Sequence, residues 1–130
     1  MLMRRFPLLL VAAALAGCDV DGYTCPDVVL PAVVVGVADA ATGDPLAEGS
    51  VAVARDGAFA DTLRRYEVND ALDVVSLAGA SGRAGVYRVT VERAGYEPWA
   101  RSGVVVRSSG GECPQPETAV LEARLRRTSP

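Results

Sequence analysis

Four segments of this chain place an apolar side chain at every second position. Val33, Val35 and Val37 alternate with Val34, Gly36 and Ala38, and Val51 and Val53 resume the pattern after a turn. Tyr87, Val89 and Val91 alternate with Arg88, Thr90 and Glu92, and Leu121, Ala123 and Leu125 alternate with Glu122, Arg124 and Arg126. A period of two sends one set of side chains to one face of a pleated strand and the other set to the opposite face. The abundance of valine points the same way, because its branched Cβ stiffens χ1 and suits a half-buried pleated surface.

Turn residues separate these segments. Asp39, Thr42, Gly43, Asp44 and Pro45 supply one turn, with Gly43 able to take positive φ, and Ser81, Gly82, Arg83, Ala84 and Gly85 supply another. Val104 and Val106 belong to a further strand. Strands at roughly ten-residue spacing without regular helices predict an all-β, antiparallel β-sandwich of about seven strands. One stretch reads two ways: Phe59, Leu63 and Tyr66 recur at helical spacing, whereas Val74, Val75 and Leu77 read as strand. Two strands with an excursion between them are expected there.

The first residues have a different character. Arg4 and Arg5 precede the apolar run Phe6 to Leu15, and Leu15, Ala16, Gly17 and Cys18 follow with small residues ahead of the thiol. Charge, apolar core and small residues in that order make a signal peptide, and Asp19 and Asp21 end the run short of the roughly 20 apolar residues of a membrane span. The Leu-Ala-Gly-Cys motif resembles the bacterial lipobox, so the chain is similar to bacterial lipoproteins. That resemblance implies cleavage after Gly17, lipid on Cys18 and a domain outside the cytoplasm, lipid-anchored to a membrane of the bacterial cell envelope. Asp19 after the lipidated cysteine resembles the signal retaining enteric-type lipoproteins at the inner membrane. Because that rule differs between bacterial groups, inner and outer membrane both stay open.

The expected organisation is a signal peptide over residues 1–17, a lipidated tether over 18–27, one domain over 28–127 and a frayed tail over 128–130. With Cys18 used by lipid, Cys25 and Cys113 remain as a pair, and an even remainder in an oxidising compartment implies one disulfide. Asp19, Asp21 and Gly22 look like the opening of a calcium loop, but the later carboxylates are missing, and the segment reads as a solvated tether.

Charge and composition exclude several functions. The full chain carries −3, and loss of Arg4 and Arg5 leaves eleven arginines against sixteen carboxylates, or −5. Nucleic acid is therefore not an expected partner. With no histidine in the chain, Ser-His-Asp triads and His-based metal sites are excluded. No catalytic residue, metal or cofactor is expected. The carboxylates Asp70 with Asp73, Glu92 with Glu97, and the charges Asp56, Asp61, Arg64 and Arg65 read as solvated surface.

The segment Val33 to Val53, with Gly36, Asp39, Thr42, Gly43, Pro45 and Leu46, resembles the opening of carboxypeptidase regulatory-like domains. Gly85, Tyr87, Val89 and Val91, followed by Gly95 and Tyr96, are similar to their G-x-Y-x-V-x-V and G-Y segments. The resemblance covers most of residues 32 to 107, apart from an atypical middle, and implies a transthyretin-like or Ig-like sandwich used as an accessory module. Tyr96 and Trp99 flank Glu97 and Pro98. They are expected to cap one end of the core, the competing reading being an exposed aromatic platform for sugar or peptide. The expected function is a non-catalytic, membrane-tethered structural or protein-interaction module, with small-ligand or carbohydrate binding by the sandwich loops as the alternative. The partner is then an envelope protein or glycan.

Overall fold

The computed structural model describes residues 24–67 and 75–129. The leader, Cys18 and most of the tether lie outside these residues, as do Asp70, Asp73 and Val74. Among the described residues the strands are β1 (Val33–Asp39), β2 (Val51–Asp56), β3 (Phe59–Thr62), β4 (Arg64–Glu67), β5 (Val75–Gly79), β6 (Gly85–Glu92), β7 (Trp99–Val106) and β8 (Ala119–Leu125). They form two four-stranded sheets, ordered β4-β5-β1-β8 and β3-β2-β6-β7. The chain is an all-β sandwich.

The alternating residues account for the interior. Val33, Val35 and Val37 of β1, Leu77 of β5 and Leu121, Ala123 and Leu125 of β8 pack in one cluster with Ala52 and Ala54 of β2, Tyr87, Val89 and Val91 of β6, and Val104 and Val106 of β7. Each large side chain taken fully from water contributes about 1.5–3 kcal/mol. Tyr87 is the largest fully buried one, and its hydroxyl donates to the Arg83 carbonyl at 2.5 Å. The bond ties the start of β6 to the turn before it, so the ring enters the core without leaving a polar atom unpaired.

Two features depart from the sequence reading. β1 and β8 run parallel, in register from Val33 opposite Ala119 to Asp39 opposite Leu125, whereas an antiparallel sandwich was expected. Alternation specifies which face of a strand is buried but says nothing of a neighbour's direction. The middle section holds three strands rather than two, making eight in all among the described residues. β3 pairs with β2 in one sheet and β4 pairs with β5 in the other, and the chain crosses between sheets at Leu63. Leu63 is buried, and its N–H donates to the Ala52 carbonyl at 2.8 Å. The crossing shifts the inward set by one position, and that turned Phe59, Leu63 and Tyr66 into a false helical spacing.

The crossing leaves no room beneath it. A Cβ on Gly79 at the end of β5 would lie 2.6 Å from Leu63 Cδ2 and 2.7 Å from Asp61 Oδ2. Neither neighbour is free to retreat, since Leu63 is buried and Asp61 Oδ2 accepts the Ala80 N–H at 2.7 Å.

Cys25 and Cys113 are joined, with Cα atoms 5.4 Å apart and a sequence separation of 88. The bridge is continued by a lacing of the N-terminal lead onto the β7–β8 loop. Gln115 Nε2 donates to the Val28 carbonyl, Gln115 Oε1 accepts the Leu30 N–H, and Thr118 Oγ1 donates to the Pro31 carbonyl at 2.6 Å. At the other end of β8, Thr128 donates through both N–H and hydroxyl to the Gly95 carbonyl. Sequence had placed Thr128 in a frayed tail; the backbone pairing of Tyr96 with Arg127 carries the ordered chain past the strand.

Gly79→Ala is expected to destabilise the fold by about 1–3 kcal/mol through overpacking, read from urea denaturation; an unchanged midpoint would show that the crossing yields. Replacing both Cys25 and Cys113 with serine should lower stability by up to about 4–5 kcal/mol, the chain-entropy value for so long a loop. Melting curves with and without reductant test this, and coincident curves for the wild type would contradict it.

Candidate functional site

The sandwich has two distinct ends. The starts of β1 and β8 and the disulfide mark one, and the ends of β1 and β8 and the start of β7 mark the other. The far end is organised around Asp39. It follows Val33, Val35 and Val37 on the inward face of β1, where the alternation calls for another apolar side chain, and it is 1% exposed.

A buried carboxylate is costly unless its oxygens are occupied. Asp39 Oδ1 accepts the backbone N–H groups of Ala41 at 2.8 Å and Thr42 at 3.0 Å, which shapes the turn leaving β1. Its Oδ2 accepts the Tyr96 hydroxyl at 2.8 Å and Arg127 Nε at 2.9 Å. The Thr42 N–H, then the Tyr96 hydroxyl, the Arg127 guanidinium and the Ala41 N–H together hold the Asp39 carboxyl well below the usual carboxylate range, against the opposing effect of burial. One side chain thus joins the first turn, the β6–β7 turn and the segment after β8. Gly43 (φ 76°) and Gly95 (φ 84°) take the left-handed conformation in the first two, as the turn composition predicts.

Tyr96 and Trp99 are half-buried and pack against the core, in keeping with the expected cap. They do not make one platform, because they open onto different clefts that share Pro98. The first, of about 550 Å³, is lined by Gly49, Val51, Glu92, Arg93, Ala94, Tyr96 and Pro98. Arg93 is fixed in this lining, with Nη1 donating to the carbonyls of Leu46 and Glu48, and a Cβ at Gly49 would lie 2.8 Å from that same nitrogen. The second cleft, of about 420 Å³, is lined by Glu97, Pro98, Trp99, Ala100, Arg124 and Arg126. Arg101 lies over the Trp99 ring at 5.3 Å, and Arg124 pairs with Glu122 at 3.2 Å.

Sequence reading picked out Tyr96 and Trp99 but missed Asp39, Arg93, Arg124 and Arg126 as parts of this end. The signal for Asp39 was present as an acid in an apolar alternation. The arginines left none, since on strand or loop they look like any wetted position. Of the charges assigned to solvent, Asp56 pairs with Arg83 at 3.0 Å, Arg83 in turn lying over the Phe59 ring at 4.1 Å, and Arg65 pairs with Glu48 and Glu67. Among the described residues no three His, Cys, Asp or Glu side chains are grouped as a metal site. No protein-family model matches the chain, and comparison with curated proteins finds no match.

Asp39→Asn removes an acceptor that Tyr96 and Arg127 share, and a lower melting temperature is expected. Because folding depresses this pKa, the stabilisation is complete above the unfolded carboxylate range of about 4 and drains away as pH falls below it. The gap between wild type and variant should therefore be widest near pH 7 and narrow progressively on acidification below about pH 4. A gap independent of pH across that window would separate Asp39 ionisation from the loss.

Proposed function

We propose that this chain is an exported bacterial lipoprotein, anchored through lipid on Cys18 to an envelope membrane, whose sandwich is a non-catalytic structural or protein-interaction module. The distribution of the cysteines carries the reading. Cys25 and Cys113 are bonded to each other, which suits an oxidising compartment and leaves Cys18 alone in the lipobox-like sequence. Cys25 lies seven positions after Cys18, a reach of about 23 Å at full extension, so the bridged end lies close to the membrane. That end also carries Val28, Val29, Leu30, Val86, Val105 and Val120, which are exposed large apolar side chains, whereas Val51 alone of that group lies toward the far end. The lack of histidine supports the non-catalytic assignment.

We assign the sandwich to the carboxypeptidase regulatory-like type on the Asp39–Pro45 turn, the Gly85–Val91 strand and the Gly95–Tyr96 pair. A second reading, binding of a small ligand or carbohydrate, is favoured by the two clefts beside Pro98 at the end pointing away from the anchor.

Expression of the full chain in a bacterial host, with mass spectrometry of the mature N-terminus, tests the anchor. The expected product begins at acylated Cys18 and fractionates with membranes, while Cys18→Ala is unlipidated and globomycin has no further effect on it. A wild-type product beginning elsewhere and recovered in the soluble fraction would overturn the proposal.

A further inference from the structure

The cleft of Trp99, Arg124 and Arg126 combines an indole with two guanidinium groups. In a chain with an acidic balance, it brings Arg124 and Arg126 into one lining with Trp99, while Arg101, outside the lining, lies over the Trp99 ring. Among the described residues the Arg126 guanidinium makes no hydrogen bond or ion pair. Arg101 has only the Trp99 ring, and Arg124 has a carboxylate partner on its own strand, with both side chains more than 60% exposed. The remaining charge in the lining is Glu97. The other arginines of this end are already committed, Arg93 to two carbonyls and Arg127 to Asp39.

Backbone pairing narrows what the cleft accepts. Glu97 N–H donates to the Arg126 carbonyl at 2.8 Å, and Thr128 N–H to the Gly95 carbonyl, so the edges of the two sheets are closed onto each other here. An extended peptide entering as an added strand would find these groups occupied. A flat indole beside the unpaired guanidinium of Arg126 and the exposed, singly paired one of Arg124 suits instead a ring with an apolar face and a carboxylate at its rim, because guanidinium engages carboxylate through paired N–H groups. We propose that this cleft binds a carboxylate-bearing saccharide, with Arg126 and Arg124 on the carboxylate and a sugar ring against Trp99. The proposal rests on the ligand-binding reading above and names its ligand class.

Trp99 is the only tryptophan of the chain, so intrinsic fluorescence reports this cleft directly. The full chain in detergent would be titrated at low ionic strength with trigalacturonate, with neutral maltotriose and with triglutamate. A saturable change with trigalacturonate alone is expected, weakened about tenfold by Arg126→Gln with the melting temperature unchanged. Equal response to maltotriose would overturn the carboxylate assignment while leaving the ligand-binding reading standing. Binding of triglutamate alone, or an undiminished response in Arg126→Gln, would overturn the saccharide site. No response to any of the three would overturn the proposed site, leaving the Tyr96 cleft as the remaining support for the ligand-binding reading.

Discussion

The parallel pairing of the first strand with the last is the constraint on which the rest of this sandwich depends. β1 is an interior strand, and β8 has no other strand partner in its sheet, so the seven-residue register between them fixes where the C-terminal part of the chain lies. The pairing closes contacts between residues nearly a whole domain apart in sequence, and the entropy of that closure has to be offset by what the seam holds. It is secured at both ends. The disulfide and the Gln115 and Thr118 bonds fasten the start, and the Leu125 carbonyl accepting Ala40 N–H, with Arg127 on Asp39, fastens the finish.

The two fastenings differ in kind. The first is covalent and insensitive to pH. The second is a buried carboxylate with four donors, whose strength requires ionisation and whose partners come from three separate segments. Two of those segments, the β6–β7 turn and the chain after β8, border a cleft, so the same network that finishes the fold helps set the walls of the far end. An apolar residue in place of Asp39 would fill the strand pattern but would leave Tyr96 and Arg127 without their common acceptor.

Much of this was legible in the sequence. The alternation at β1, β6 and β8 identified the inward residues one by one, and glycines in turns took the conformations their neighbours required. The cysteine pair was found by elimination. What escaped was information that a single strand does not contain. Direction of pairing is settled between strands, and the sheet crossing at Leu63 resets the alternation within one continuous run, so its residues imitate a helix. The clefts escaped for a related reason: Trp99 opens β7 while Arg124 and Arg126 sit at the end of β8, and only the closure of the two sheet edges brings them together.

The position of the disulfide also determines how the molecule transmits tension. A pull applied between the chain ahead of Cys25 and the segment after β8 enters at Cys25, passes through the sulfur atoms to Cys113 and leaves along β8. Residues 26–112 stand outside that load path as a bypassed loop. Seven of the eight described strands, β1 to β7, lie in that loop, and β8 sliding against β1 in shear is the mechanical weak point.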